Sequence, residues 1–172
     1  MTQSVETTPA TPPTAAPTSL VRLRVNGEDR EVVCEDRTLL VHAIRDNLGL
    51  KGTRIGCLNG DCGACSLQLD GEAVKSCLML AASAQGSEIT TVEGLSDGDQ
   101  LTPLQQAMWE EDAFQCGFCV VGALFASQEL LDTNDDPDEA DIRQALIGNL
   151  CRCTGYSHMV KAVQRVARER KL

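Results

Sequence analysis

The sequence predicts an α+β protein with a strand-rich N-terminal half and an all-helical C-terminal half. Three observations predict it. Short alternating runs broken by Asn-Gly and Asp-Gly turns occupy the chain up to about residue 92. Helical stripes, the first opened by Thr102-Pro103, occupy it from there on. A patch of Gly, Ser and Asp at Gly94 to Gly98 lies between them. At 172 residues and 42% hydrophobic, the chain can form one domain or two small ones. Aromatic residues make up only 3%, so Val, Leu, Ile and Ala must fill the cores.

The elements follow in order. Residues 1–19 hold six Thr, four of the six Pro and no Lys or Arg, which reads as a disordered tail. It has neither the basic and apolar regions of a secretory signal nor the arginines of a mitochondrial presequence. Leu20 to Val25 alternates as a strand, Asn26-Gly27 turns, and Arg30 to Cys34 returns. Asp36 or Thr38 is placed to cap a helix carrying Leu40, Ala43, Ile44 and Leu48, which Gly49 ends. Ser66 to Leu69 and Glu72 to Ser76 form a second hairpin about Asp70-Gly71, and Ile89 to Val92 is a last strand. In the second half, Leu104, Ala107 and Met108 line a helix after Pro103. Gly117 to Leu131 is apolar on most faces and reads as a central helix. Asp138 to Leu150 carries a third helical stripe. Ser157 is placed to cap a fourth, with Met159, Val160, Val163, Val166 and Ala167 inward and a basic, solvated end.

The chemistry is concentrated in the cysteines. Cys57, Cys62 and Cys65 make C-x4-C-x2-C inside Gly-Cys-Leu-Asn-Gly-Asp-Cys-Gly-Ala-Cys, and Cys77 follows. That is the plant-type [2Fe–2S] spacing. Thiolates bind the metal, so backbone N–H groups must crowd the sulfurs, and Gly56, Gly60 and Gly63 let the backbone approach closely. With this loop on its edge, the first half reads as a ferredoxin-like domain over residues 20–95. Residues 100–172 repeat helix, Cys pair, helix twice, with Cys116 and Cys119 as one pair and Cys151 and Cys153 as the other. An antiparallel arrangement brings these four thiols to one end of a four-helix bundle, near helix N-termini that favour thiolate. Four thiolates suit zinc as well as an iron–sulfur cluster. A thioredoxin-like pair lacks the βαβ context it needs.

Nine cysteines without a secretory signal argue for reduced thiols holding metal rather than for disulfides. The ninth, Cys34, follows Val32-Val33 in a predicted strand and reads as a core residue. His42 and His158 stand far apart and read as surface or structural. The net charge of −10 argues against nucleic-acid or anionic-membrane partners, and no apolar run reaches the ~18 residues of a membrane span. No catalytic base, nucleophile or phosphate loop is evident, so no catalytic residue is expected in this chain.

The two cysteine constellations together resemble one family. The stretches Gly56 to Cys65, Ser76-Cys77, Gln115-Cys-Gly-Phe-Cys119 and Gly148-Asn-Leu-Cys-Arg-Cys-Thr-Gly-Tyr156 are similar to the small iron–sulfur subunit of the molybdenum hydroxylases, the xanthine dehydrogenase and aldehyde oxidase family. The resemblance covers about residues 20–170. It implies a β-grasp ferredoxin domain followed by a four-helix domain, each with one [2Fe–2S] cluster. Cys57, Cys62, Cys65 and Cys77 would hold the first, and Cys116, Cys119, Cys151 and Cys153 the second. It implies a large partner subunit with a molybdenum pterin cofactor, contacted by Gln115, and a medium subunit with FAD. Electrons would pass from molybdenum through the C-terminal and then the N-terminal cluster. One departure is Val120-Val121-Gly122, where many members have Thr-Pro-Gly after the second cysteine of the pair; it shifts the expected helix start and removes no ligand. The expected location is the bacterial cytoplasm, with export alongside a signal-bearing partner left open. Two other readings compete: a free-standing two-cluster electron carrier and a zinc-structured interaction module.

Overall fold

A computed structural model describes residues 15–171. Most of the expected tail, residues 1–14, lies outside them. The first hairpin joins β1 (Thr18–Val25) to β2 (Glu28–Glu35), with Val21 opposite Val32. Asn26 and Gly27 both take positive φ, as a two-residue hairpin turn requires. The first strand therefore starts at Thr18, two residues inside the predicted tail. The second hairpin pairs β3 (Ser66–Leu69) with β4 (Glu72–Lys75) about Asp70 and Gly71. A short β5 (Glu88–Thr90) completes a mixed sheet in the order β2-β1-β5-β3-β4, with β1 and β5 parallel. Leu23, Leu67 and Ile89 point from it into a core closed by Leu40 and Ile44.

The helix after β2 differs from its expectation. α1 (Leu40–His42) runs into a π-helical turn over Ala43–Asn47, and no side chain caps it, so Asp36 and Thr38 do not have that role. The wider turn is closed by the Leu48 amide on the Ala43 carbonyl at 3.0 Å, and Gly49 ends it with φ +77°. Leu40, Val41, Ala43 and Ile44 are all fully buried.

Four helices follow. α2 (Pro103–Glu110) opens with a reciprocal cap between Thr102 and Gln105. α3 (Val120–Thr133) begins three residues later than predicted, with Cys119 at its N-cap, so the Cys-Gly-Phe-Cys stretch is loop. α4 (Glu139–Leu146) is capped by Asp138 and Asp141 and stops short of Leu150. α5 (Tyr156–Glu169) starts after Gly155 with no side-chain cap, which removes Ser157 from that role. α2 packs on α5 and α3 on α4 about a second core that includes Met108, Leu131, Ile142, Met159 and Val163. The basic end of α5 faces its own chain: Arg170 donates to the Leu131 carbonyl at 2.6 Å, and Lys171 pairs with Asp136. Among the described residues no helix is long and apolar enough to cross a membrane.

The halves are joined by α3. Its Leu124 and Leu131 belong to the second core, while its Val121 and fully buried Phe125 belong to the first. A helix apolar on most faces is what such a position demands. At the crossing, Gly122 leaves room for the Gly63 carbonyl and the Asn149 side chain, both of which a Cβ there would strike.

A helical Gly→Ala change ordinarily gains roughly 1 kcal/mol. Gly122→Ala is expected to cost about 2 kcal/mol instead, through overpacking at the crossing. That corresponds to a fall of roughly 4–8 °C in Tm for a chain of this size. A melting temperature at or above that of the parent chain contradicts the close crossing.

Candidate metal centres

The first cysteine loop is tied down before it begins. Arg45 donates to the carbonyls of Lys51 and Thr53, and the Gly52 amide donates to Glu93 at 2.7 Å. The Arg54 amide then bonds the Ala64 carbonyl at 3.0 Å, closing the loop at its base. Inside, Leu58, Gly60 and Gly63 take positive φ, which turns successive amides inward. The Cys57 sulfur accepts the Cys62 amide at 3.4 Å. Its thiol is drawn down to about 6, first by the Asn59 N–H and then by that of Cys62. Gly56 is required here, because a Cβ would lie 2.7 Å from the Cys62 sulfur.

The β3–β4 register delivers the fourth cysteine. Ser66 sits opposite Lys75, so Cys65 and Cys77 flank the same end of the hairpin. The Ser76 hydroxyl locks this by donating to the Cys65 carbonyl at 2.7 Å. Both sulfurs are buried beside Val41. Burial pushes the Cys65 thiol up to about 11.

The second set converges from two segments, one before α3 and one before α5. Cys116 lies beside Cys153, and Cys119 beside Cys151. Cys116 is held below the usual thiol range, first by the Phe118 N–H and then by Cys153. Burial, followed by the Cys151 contact, pushes Cys119 up to about 12. The Gly155 amide reaches the Cys151 sulfur at 3.5 Å. The Tyr156 hydroxyl accepts the Cys151 amide at 2.7 Å and donates to the Asn149 carbonyl at 3.2 Å. Exposed Gln115 donates from Nε2 to the Cys153 carbonyl at 3.3 Å, so it braces the Cys151–Cys153 segment.

The two sets face each other. Cys57 and Cys62 from the first and Cys116 and Cys119 from the second line one cleft of about 500 Å³, together with Phe118 and Leu150. The Leu150 amide, one residue before Cys151, donates to the Cys62 carbonyl at 2.9 Å. The other sulfur and the histidines stay apart. Cys34 is buried in the first core, His42 meets Asp46, and His158 meets the Glu111 carbonyl. Arg54, Asn149 and Tyr156 also belong to the site, although the sequence assigns them no role. Asn149 and Tyr156 flank the Cys151–Cys153 pair within one motif; Arg54 carries no local signal of its position.

All nine thiols are free. Within each set they lie as two pairs: Cys57 with Cys62 and Cys65 with Cys77, then Cys116 with Cys153 and Cys119 with Cys151. A two-iron core held by four cysteines takes two on each iron, so the pairing fits it. A zinc ion needs its ligands on one point. Among the described residues no three His, Cys, Asp or Glu side chains close on a point that way.

Comparison with known proteins agrees. Residues 23–94 match a family described as a 2Fe-2S iron-sulfur cluster binding domain, and residues 91–164 match one described as a [2Fe-2S] binding domain. The chain is 48% identical to the nicotine 6-hydroxylase small subunit of Paenarthrobacter nicotinovorans, over 83% of this chain and 86% of that one. It is 42% identical to the nicotinate dehydrogenase small FeS subunit of Eubacterium barkeri, over 84% and 92%. This chain belongs to the small iron–sulfur subunits of the molybdenum hydroxylases. The crystal structure of quinoline 2-oxidoreductase from Pseudomonas putida 86 superposes on this small subunit with a TM-score of 0.82 at 40% identity, covering 90% of this chain and 99% of that one. The aldehyde oxidoreductase of Desulfovibrio gigas gives 0.81 at 39% identity, with 89% of this chain matching 17% of a much longer one. The small subunit is thus the electron-transfer component of an oxidoreductase complex with a large subunit, and its cofactors are two [2Fe–2S] clusters.

The thiol environments give a direct check. In metal-free small subunit at pH 7, iodoacetamide should label Cys57 ahead of Cys65 by roughly tenfold or more, even allowing for the weaker nucleophilicity of an acidic thiolate. Mass-spectrometric mapping of the labelled cysteines reads this, and equal rates contradict the amide-lined environment of Cys57.

Proposed function

We propose that Cys57, Cys62, Cys65 and Cys77 hold one [2Fe–2S] cluster and that Cys116, Cys119, Cys151 and Cys153 hold the other. The observation that carries this is the pairing of thiols within each set, across segments as distant as Cys116 and Cys153. A cluster at either site supplies one-electron redox chemistry. The chain's own residues supply the rest. Loop amides solvate the sulfurs, Val41 and the first core exclude water around Cys65 and Cys77, and Ser76 and Tyr156 fix the loops that present the cysteines.

In this reading residues 20–95 form a β-grasp ferredoxin domain and residues 100–172 a four-helix bundle, with residues 1–19 as a tail. The two half-chain family matches and the packing of α2 to α5 about one core support it. Gln115 contacts the pterin of the molybdenum cofactor in the large subunit. Its exposure beside Cys153 supports that role. A medium subunit carries FAD, and the complex works in the bacterial cytoplasm. An assembled subunit is favoured over a free carrier by the cleft, where Phe118 and Leu150 stand 42% and 64% exposed. Large apolar side chains grouped in this way mark a surface that another protein covers.

Iron and acid-labile sulfide should each come to about four per chain, and the dithionite-reduced complex should show two sets of paramagnetic signals. Cys151→Ser should abolish or alter the C-terminal signal and leave the other in place. Two irons per chain, or a simultaneous change of both signals, would overturn the assignment of ligands.

A further inference from the structure

Arg54 is the feature that the cysteine sites alone leave unexplained. It stands three residues before Cys57 in the first half, yet its guanidinium lies over the Phe118 ring, 5.5 Å from the centroid, between Cys116 and Cys119 of the second set. Its backbone amide closes the first loop on Ala64. Its Nε is buried and has no hydrogen-bond partner among the described residues. No carboxylate pairs with it among the described residues, a lack it shares with Arg45, Arg152 and Arg168, whereas Arg22, Arg24, Arg30, Arg143 and Arg165 each have one. A guanidinium is permanently charged and costly to bury without a partner. Such a position is favourable where negative charge is to be placed close by.

We propose that Arg54 is the residue that biases the transferred electron toward the C-terminal site, by holding an uncompensated positive charge across the seam from Cys116, Cys119, Cys151 and Cys153. The inference rests on the ligand assignment above. Each reduction adds one electron, and so one negative charge, to a centre already surrounded by thiolates. A fixed cation beside it stabilises the reduced form more than the oxidised one, which raises the reduction potential. The N-terminal site has a device of its own. There Leu58, Gly60 and Gly63 turn loop amides inward, and the Cys62 amide reaches the Cys57 sulfur at 3.4 Å. Arg54 is a positioning and tuning residue, and touches no substrate.

The test is a redox titration of the assembled complex followed by EPR, with the C-terminal signal identified through Cys151→Ser. Arg54→Gln should lower the reduced-to-oxidised ratio of the C-terminal site about tenfold at a fixed potential, a shift of about 59 mV for a one-electron couple. The N-terminal site should move by less than threefold. Arg54→Lys keeps the charge and should stay within about threefold of the parent at both sites. Phe118→Leu removes the ring but not the charge and should do the same. An unchanged C-terminal ratio in Arg54→Gln overturns the proposal. So does an Arg54→Lys variant that behaves like Arg54→Gln, because packing and not charge would then be at work. If Arg54→Gln cannot retain four irons, Arg54 is a structural clamp and the proposal fails. A parent complex with only one paramagnetic centre would refute the ligand assignment instead, and the iron count separates the two failures.

Discussion

The structure depends on one helix serving two cores. α3 places Val121 and Phe125 among the β-sheet side chains and Leu124 and Leu131 among the other helices. Cys119 stands at its N-cap position, so the same element that joins the halves also positions one of the sulfurs. Gly122 then brings the backbone of α3 against Gly63, inside the first cysteine loop, and against Asn149, just ahead of Cys151. The spacing between the two sulfur sets is therefore fixed by close-packed side chains and not by the length of a linker. Electron transfer between fixed centres falls off steeply with distance, and interiors packed at crystal density hold such a distance steady.

The sulfurs impose a second demand. A thiol that binds metal must give up its proton, yet Cys65 and Cys119 lie where burial opposes that. Cys57 and Cys116, from the other pair of each set, sit where loop amides favour it. Each site thus combines accessible, easily ionised thiols with buried, reluctant ones. Only a metal's own charge makes the buried ones into thiolates, so metal binding and ionisation are coupled.

Much of this was legible in the chain. The turn residues Asn26-Gly27 and Asp70-Gly71, the caps Thr102 and Asp138, and the inward stripe of α5 all carry local chemistry that dictates their conformation. So do the cysteine spacings. What could not be read is whatever depends on tertiary neighbours. A stripe of Leu40, Ala43 and Ile44 suits a π-helical turn as well as an α-helix, because both bury that side. The apolar character of 117–131 announced burial but not that two separate cores would share it. Nothing local to Arg54 shows that its side chain crosses to Phe118. α5 has its N-cap at Gly155, two residues ahead of Ser157, and the Tyr156 hydroxyl, reaching back to the preceding loop, organises that turn instead.

That hydroxyl has a consequence for how the two halves solvate sulfur. Its single hydrogen is committed to the Asn149 carbonyl, which leaves its lone pairs to the Cys151 amide. The amide is thereby diverted from the anion beside it, and the more distant Gly155 amide serves the Cys151 sulfur in its place. One half consequently relies on a dense nest of peptide dipoles, which travel with the fold. The other gives up one such dipole at Cys151 for loop rigidity and keeps the Phe118 N–H at Cys116.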